Sequence, residues 1–262
     1  MKSRCLLLGA ALSLCAALPA TAQVVLSQLD VAYTQNFDTL SNTASSTTNS
    51  LAITGWSLTE SGGGARDNEQ YAVDTGGSST GDIYSYGSTS ATDRALGSVQ
   101  SGTLIPIFGA QFTNSTGATI TSLAIAYRGE EWRLGTASRT DKLTFEYSLD
   151  ATGLTNGTWT NVASLDFTTP VTATTGAKDG NNAANYLDLS ASIQSLSIAN
   201  GGTFWVRWTD FNATAADDGL AVDNFSLTPA GVAAVPEPST YAAVFGALAL
   251  AGVIVRRRFA RV

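Results

Sequence analysis

The chain is 262 residues long, with 14 Lys and Arg, 21 Asp and Glu, no histidine and two cysteines, and carries a net charge of −7. The lack of histidine excludes Ser-His-Asp and Cys-His catalysis and histidine-ligated zinc or iron. The acid excess repels phosphate backbones, which excludes nucleic acid as a partner.

Residues 1–22 read as a secretory signal peptide. Lys2 and Arg4 precede an apolar run from Leu6 to Leu18, and Ala20-Thr21-Ala22 stands before Gln23. Signal peptidase is the partner this implies. Cys15 offers a lipoprotein alternative, but the bulky Leu14 before it favours plain cleavage after Ala22. Cys5 and Cys15 both leave with the signal, so packing alone must hold the mature fold. The body, residues 23–235, holds 20 acidic against 8 basic residues, a net −12 that favours solubility and divalent cations.

Strands are expected along the whole body. Val24–Leu40 is read as the opening strand, 41–50 as a Ser/Thr/Asn loop, and Leu51–Leu58 as a short strand carrying Trp56. A glycine-rich polar stretch follows, with brief aromatic pieces at Tyr71 and Tyr84–Tyr86. Leu123, Ile125 and Tyr127 share one face. Leu143, Phe145, Tyr147 and Leu149 alternate with polar residues, the pattern of a half-buried strand. Asn156-Gly157 predicts a type I′ turn into a strand over Thr158–Phe167. Thr203–Phe211 sets Phe204, Val206 and Trp208 on one side, with Trp205 and Arg207 on the other. In the last strand, Gly219–Thr228, the apolar parity switches at Asp223-Asn224, which predicts a bulge. No segment keeps a helical period, and no linker divides the body. The reading is all-β: a two-sheet jelly-roll sandwich over 23–230.

Catalytic chemistry is sparse. Gly77–Gly81 fits the G-x-S-x-G pattern, but no strand precedes it, no helix follows it and no base is available. Glu130-Glu131-Trp132-Arg133 is the best acid cluster for cleaving a glycan. On extended backbone its two glutamates point to opposite faces and cannot flank one bond. Pairing with Arg128, Arg133 or Arg207 is the structural alternative, and no catalytic residue is expected. Tyr84, Tyr86 and Trp132 lie in or near loops and are the candidate glycan contacts, since a sugar face stacks on an aromatic ring.

The run Asp217–Leu227 resembles the closing strand of jelly-roll domains of the MAM and carbohydrate-binding-module type, and Phe37-Asp38 resembles their opening strand. The resemblance implies first and last strands side by side and, in some members, a structural calcium there. Asp38, Asp218 and Asp223 are the candidate ligands by position, although no Asp-x-Asp-x-Asp-Gly loop is present.

The C-terminal segment, 231–262, has three features in order. Val235, Pro236, Glu237, Pro238, Ser239 and Thr240 come first. An uncharged run, Tyr241–Val255, follows, and then Arg256, Arg257, Arg258 and Arg261. The prolines exclude a helix start upstream. The uncharged run covers about 22 Å as helix, so a transmembrane helix over about 239–255 needs Ser239, Thr240 and snorkelling arginines to span roughly 30 Å. The distal arginines hold that end in the cytoplasm. This segment resembles the PEP-CTERM sorting signal, with Tyr241 where the family usually has Trp. The resemblance implies processing by an exosortase of a Gram-negative bacterium. An inner-membrane intermediate would precede delivery to the cell surface or the exopolysaccharide matrix. A non-enzymatic structural or adhesive role is expected. The alternatives are a calcium-dependent carbohydrate-binding module and, third, a carboxylate-dependent polysaccharide hydrolase or lyase.

Overall fold

The computed structural model describes residues 23–100 and 102–233, with Phe245, Ala247 and Arg256 of the tail. The signal peptide and nearly all of the sorting segment, including residues 235–240, Arg257, Arg258 and Arg261, lie outside the described residues. Among the described residues no helix is long and apolar enough to cross a membrane.

The body is two β-sheets. In chain order the strands are β1 (Val24–Leu26), β2 (Tyr33–Gln35), β3 (Trp56–Ser61), β4 (Tyr71–Asp74) and β5 (Asp82–Tyr86). Next come β6 (Ala95–Val99), β7 (Ile105–Asn114), β8 (Ala118–Leu134), β9 (Lys142–Ser148) and β10 (Thr160–Asn161). The last five are β11 (Phe167–Thr168), β12 (Gly176–Ala177), β13 (Tyr186–Ile193), β14 (Thr203–Asp210) and β15 (Gly219–Ala233). One sheet runs β1-β7-β14-β9-β10, with β3 on β7 and β11 on β9. The other runs β12-β8-β15-β6-β5-β4, with β13 on β8 and β2 on β15. Pairing is antiparallel except for β1 with β7 and β4 with β5.

The clean alternations pack as the sequence predicts. Leu143, Phe145, Phe204, Val206 and Trp208 are buried between the sheets, as are Leu123, Ile125 and Tyr127 from the facing sheet. Trp208 is central: its ring lies 5.2–5.9 Å from Phe145, Tyr127, Phe225, Phe108 and Trp56. The register of β15 slips between Asp223 and Ser226, with Asn224 at φ 50°, so the bulge lies at the parity switch. β2 pairs with Phe225–Leu227, which sets an opening strand beside the closing one.

Other expectations are corrected. Val24–Leu40 is two short strands separated by a turn, and Trp56 begins a strand instead of sitting within one. Thr158–Phe167 is broken by a 3-10 turn at Ala163–Leu165. Gly157 has φ +77°, but Asn156 is not among the residues with positive φ, so the turn is not type I′. The closing strand continues to Ala233, past residue 230. Leu149 is 46% exposed because the alternation outlasts β9 by one residue.

Candidate functional site

The outer face of the β8/β15 sheet carries most of the residues singled out above. Along β8 the side chains alternate, so Glu130 and Trp132 point outward and Glu131 points between the sheets. Trp132 Nε1 donates to Glu130 Oε2 at 2.8 Å, whereas Glu131 Oε2 accepts the Val171 N–H at 3.0 Å. The two glutamates therefore do not share a substrate site. None of the expected arginine partners reaches them. Arg128 pairs with Asp188 at 2.9 Å, Arg207 with Glu146 at 2.7 Å, and Arg133 donates to the Gly76 and Gly77 carbonyls.

Tyr84 and Tyr86 lie within β5 and Trp132 within β8, not in loops as expected, and the three form one outer cluster. Tyr86 stacks on Trp132 with centroids 5.9 Å apart, and Tyr84 lies 5.1 Å from Tyr86. No sugar face can reach them: their exposures are 2%, 0% and 1%. Two loops close over the rings. A Cβ on Gly180 would come within 2.4 Å of the Trp132 indole, and one on Gly76 within 1.9 Å of the Trp132 carbonyl, so only glycine permits this cover. Ser78 Oγ meets the Tyr84 hydroxyl at 2.8 Å and fastens the first loop. Trp205 is buried in the same way on the other sheet, under Ala151 and Leu154.

The three candidate calcium ligands do not converge. Asp218 and Asp223 are separated by about 16 Å along the strand. Asp218 is committed elsewhere: Oδ1 accepts the Gly135 N–H at 2.7 Å, Oδ2 accepts the Thr169 hydroxyl at 2.8 Å, and Arg139 bridges it to Asp141. Asp38 and Asp223 do share a neighbourhood, together with Glu130 and Asp93, which sequence reasoning did not place there. Burial pushes the Asp223 carboxyl up to about 7, with the Asp93 and Asp38 charges adding to it. Burial likewise pushes Glu130 up to about 8, reinforced by Asp223 and Asp93. Glu130 Oε1 and Asp223 Oδ1 are both buried without a hydrogen-bond partner. Hard oxygens suit calcium in kind. In number they fall short, because among the described residues no group of three or more acidic side chains is arranged to hold a metal ion.

The class defined by these observations is an all-β sandwich whose buried acids are mostly spent on holding loops. No protein-family model matches the chain, and no curated protein matches it. Among solved structures, it is similar to the CBM22-1 xylan-binding domain from Paenibacillus barcinonensis Xyn10C. The TM-score is 0.39 at 9% identity, covering 79% of this chain and 99% of that one. It is also similar to the K2 cleaved adhesin domain of Lys-gingipain, with TM-score 0.40 and 14% identity over 75% of this chain and 97% of that one. A third likeness is to TmCBM61 in complex with beta-1,4-galactotriose, with TM-score 0.29 and 10% identity over 54% and 74% of the two chains. At such TM-scores these likenesses carry no weight for function.

Proposed function

We propose that the protein is exported and resides at the cell surface or in the exopolysaccharide matrix, where it has a non-enzymatic structural or adhesive role. One observation carries this reading: apart from Glu130 and Asp223, most of the buried carboxylates accept backbone N–H groups, chiefly from loops. Glu60 takes three (Asn68, Glu69 and Ile83), Glu131 takes Val171, Asp210 takes Gln100, and Asp217 takes Ala213. Carboxylates fixed in this way stabilise connections and do not face substrate. The test is to incubate the mature protein with a panel of polysaccharides, with calcium and again with EGTA, scoring both retention and reducing ends. Retention without new reducing ends is expected. Turnover that disappears in Glu130→Gln or Glu131→Gln would replace this reading with a hydrolase or lyase.

The second reading is a calcium-dependent carbohydrate-binding module. The unpartnered oxygens of Glu130 and Asp223, with Asp38 and Asp93 around them, support it. Glu130 and Asp223 would be the paired carboxylate ligands, with water and backbone carbonyls completing the shell; Asp38 stays a candidate at the edge of that neighbourhood, and Asp218 is withdrawn. Retention in the panel that vanishes with EGTA is the outcome this reading requires.

The address rests on the tail. Replacing Pro236, Glu237 and Pro238 by alanine should leave the protein unprocessed and membrane-associated, as read by cell fractionation and mature mass. A variant of normal mature size in the extracellular fraction would remove the exosortase from the account.

A further inference from the structure

A polar cavity of about 220 Å³ lies at the edge of the β4/β5 sheet, and neither Glu130 nor Asp223 lines it. Its walls are the turn around Asn42 and Ser45, the end of β4 at Val73 and Asp74, and the loop through Ser88. Arg94 forms part of the lining and is 2% exposed. Its Nε donates to Ser85 Oγ at 2.8 Å, Nη2 to the Ser85 carbonyl, and Nη1 to the Ser88 carbonyl at a long 3.5 Å. Among the described residues it forms no ion pair. A Cβ on Gly87 would lie 2.3 Å from Nη1, so the guanidinium is packed flat against that backbone and held in place.

A buried guanidinium bonded only to neutral oxygens has spent its desolvation cost without a counter-charge of its own. The neighbouring Asp93 charge compensates it most, outside the cavity lining; within the lining the carboxylate is Asp74, whose Oδ2 takes the Gly76 and Ser78 N–H groups at 2.7 and 3.1 Å. Asp74 Oδ1 accepts no hydrogen bond among the described residues. Asn42 donates Nδ2 to the Ala91 carbonyl at 3.1 Å and likewise leaves its Oδ1 uncommitted. The lining therefore offers acceptors at Asp74 and Asn42 and, beyond the three N–H groups of Arg94 already given to Ser85 and Ser88, the two that remain of its five, with an apolar strip at Val73 and Ala44. A ligand that satisfies both kinds at once carries adjacent hydroxyls, each able to donate and accept.

We propose that this cavity binds one unit of a neutral sugar. The inference rests on the adhesive reading and names the chemistry that would be held. One guanidinium and one carboxylate cancel locally, and the body around them is net −12, so a uronate or phosphate meets no positive field. At 220 Å³ the space is below the usual ligand-pocket range of about 300–1,000 Å³, which suits one ring of a chain and not an oligosaccharide.

The experiment titrates the isotope-labelled mature protein with glucose, galactose, mannose, xylose, rhamnose and galacturonate, following amide shifts of Thr75, Ser88 and Thr89. The expected result is saturable shifts with at least one neutral sugar at a Kd on the order of 1 mM, and galacturonate at least several-fold weaker. Ala44→Tyr, at the exposed rim, should weaken that binding at least tenfold with no change in Tm. Asp74→Asn should weaken it while the fold is kept, because the new amide oxygen can still accept from Gly76. The proposal is overturned by no saturable shift with any neutral sugar, by shifts that Ala44→Tyr leaves intact, or by galacturonate binding equally well. Polysaccharide retention by the full protein is read separately. If Ala44→Tyr keeps it, the adhesive reading stands and this cavity is not its site.

Discussion

Trp208→Ala is expected to remove about 3–5 kcal/mol of stability, the range for truncating a large buried aromatic. The side chain is 0% exposed and sits where both sheets meet it: Trp56 and Phe108 are stacked against it, and Tyr127, Phe145 and Phe225 meet it edge-on. These partners come from five strands, so no single strand can move in to fill the void. Typical domains have about 5–15 kcal/mol in total, so the variant loses a large part of its margin. Urea unfolding of the mature protein measures this, with Trp159→Ala as the control. Trp159 is half-buried at the surface beneath Arg207, 3.8 Å from its ring, and its loss should cost only about 1 kcal/mol. Equal midpoints for the two variants would mean that the core is not organised around Trp208.

What the sequence revealed depended on whether one side of a strand was wet. In β9, lysine, threonine and glutamate alternate with Leu143, Phe145 and Tyr147, so the buried face could be read directly. The bulge in β15 was legible for the same reason: two parities cannot coexist on one uninterrupted strand. The stretch from Thr158 failed because Trp159, Val162 and Leu165 recur every third residue. That is the period of the 3-10 turn found at Ala163–Leu165 and not of a strand. β13 carries a usable alternation at Leu187, Leu189, Ala191 and Ile193, but the serines and alanine among them dilute it.

The candidate site was harder to read than the fold. Trp132, expected in or near a loop, stands instead on the outer face of β8, and nothing in a strand's own residues says whether a distant loop lies over that face. Gly76 and Gly180 are the residues that let such loops approach, and their meaning appears only once their contacts are known. The aspartates misled in a different way. Asp218 and Asp223 are close in sequence, but an extended chain carries them about 16 Å apart. Glu130 and Asp93, far away in sequence, come in beside Asp223 instead. Long-range pairing of β8 with β15 brings Glu130 to Asp223, the connection from β5 to β6 brings Asp93, and single-strand reasoning cannot supply either.

That neighbourhood gives the second large effect, in Glu130→Gln. Burial, then the Asp223 and Asp93 charges, hold the Glu130 carboxyl at about 8 against an ordinary 4.5. The folded state therefore keeps a proton that the unfolded chain releases once pH passes about 4.5. Stability from this group is complete below that pH and is lost as pH rises towards 8. The span corresponds to roughly 5 kcal/mol as an upper limit. Asp223, pushed up to about 7, adds a loss of the same sign. The substituted amide would keep an oxygen for the Trp132 Nε1 donor and cannot ionise, so in EGTA the variant should melt higher than wild type at pH 8 and equally near pH 4. Calcium seated on Glu130 and Asp223 reverses the sign, because the ion stabilises the ionised carboxylate that the substitution deletes. Melting curves at pH 8 with and without calcium thus separate two states of one site. A variant stabilised in both conditions identifies a buried acid that holds its proton. One stabilised in EGTA and destabilised in calcium identifies an ion ligand.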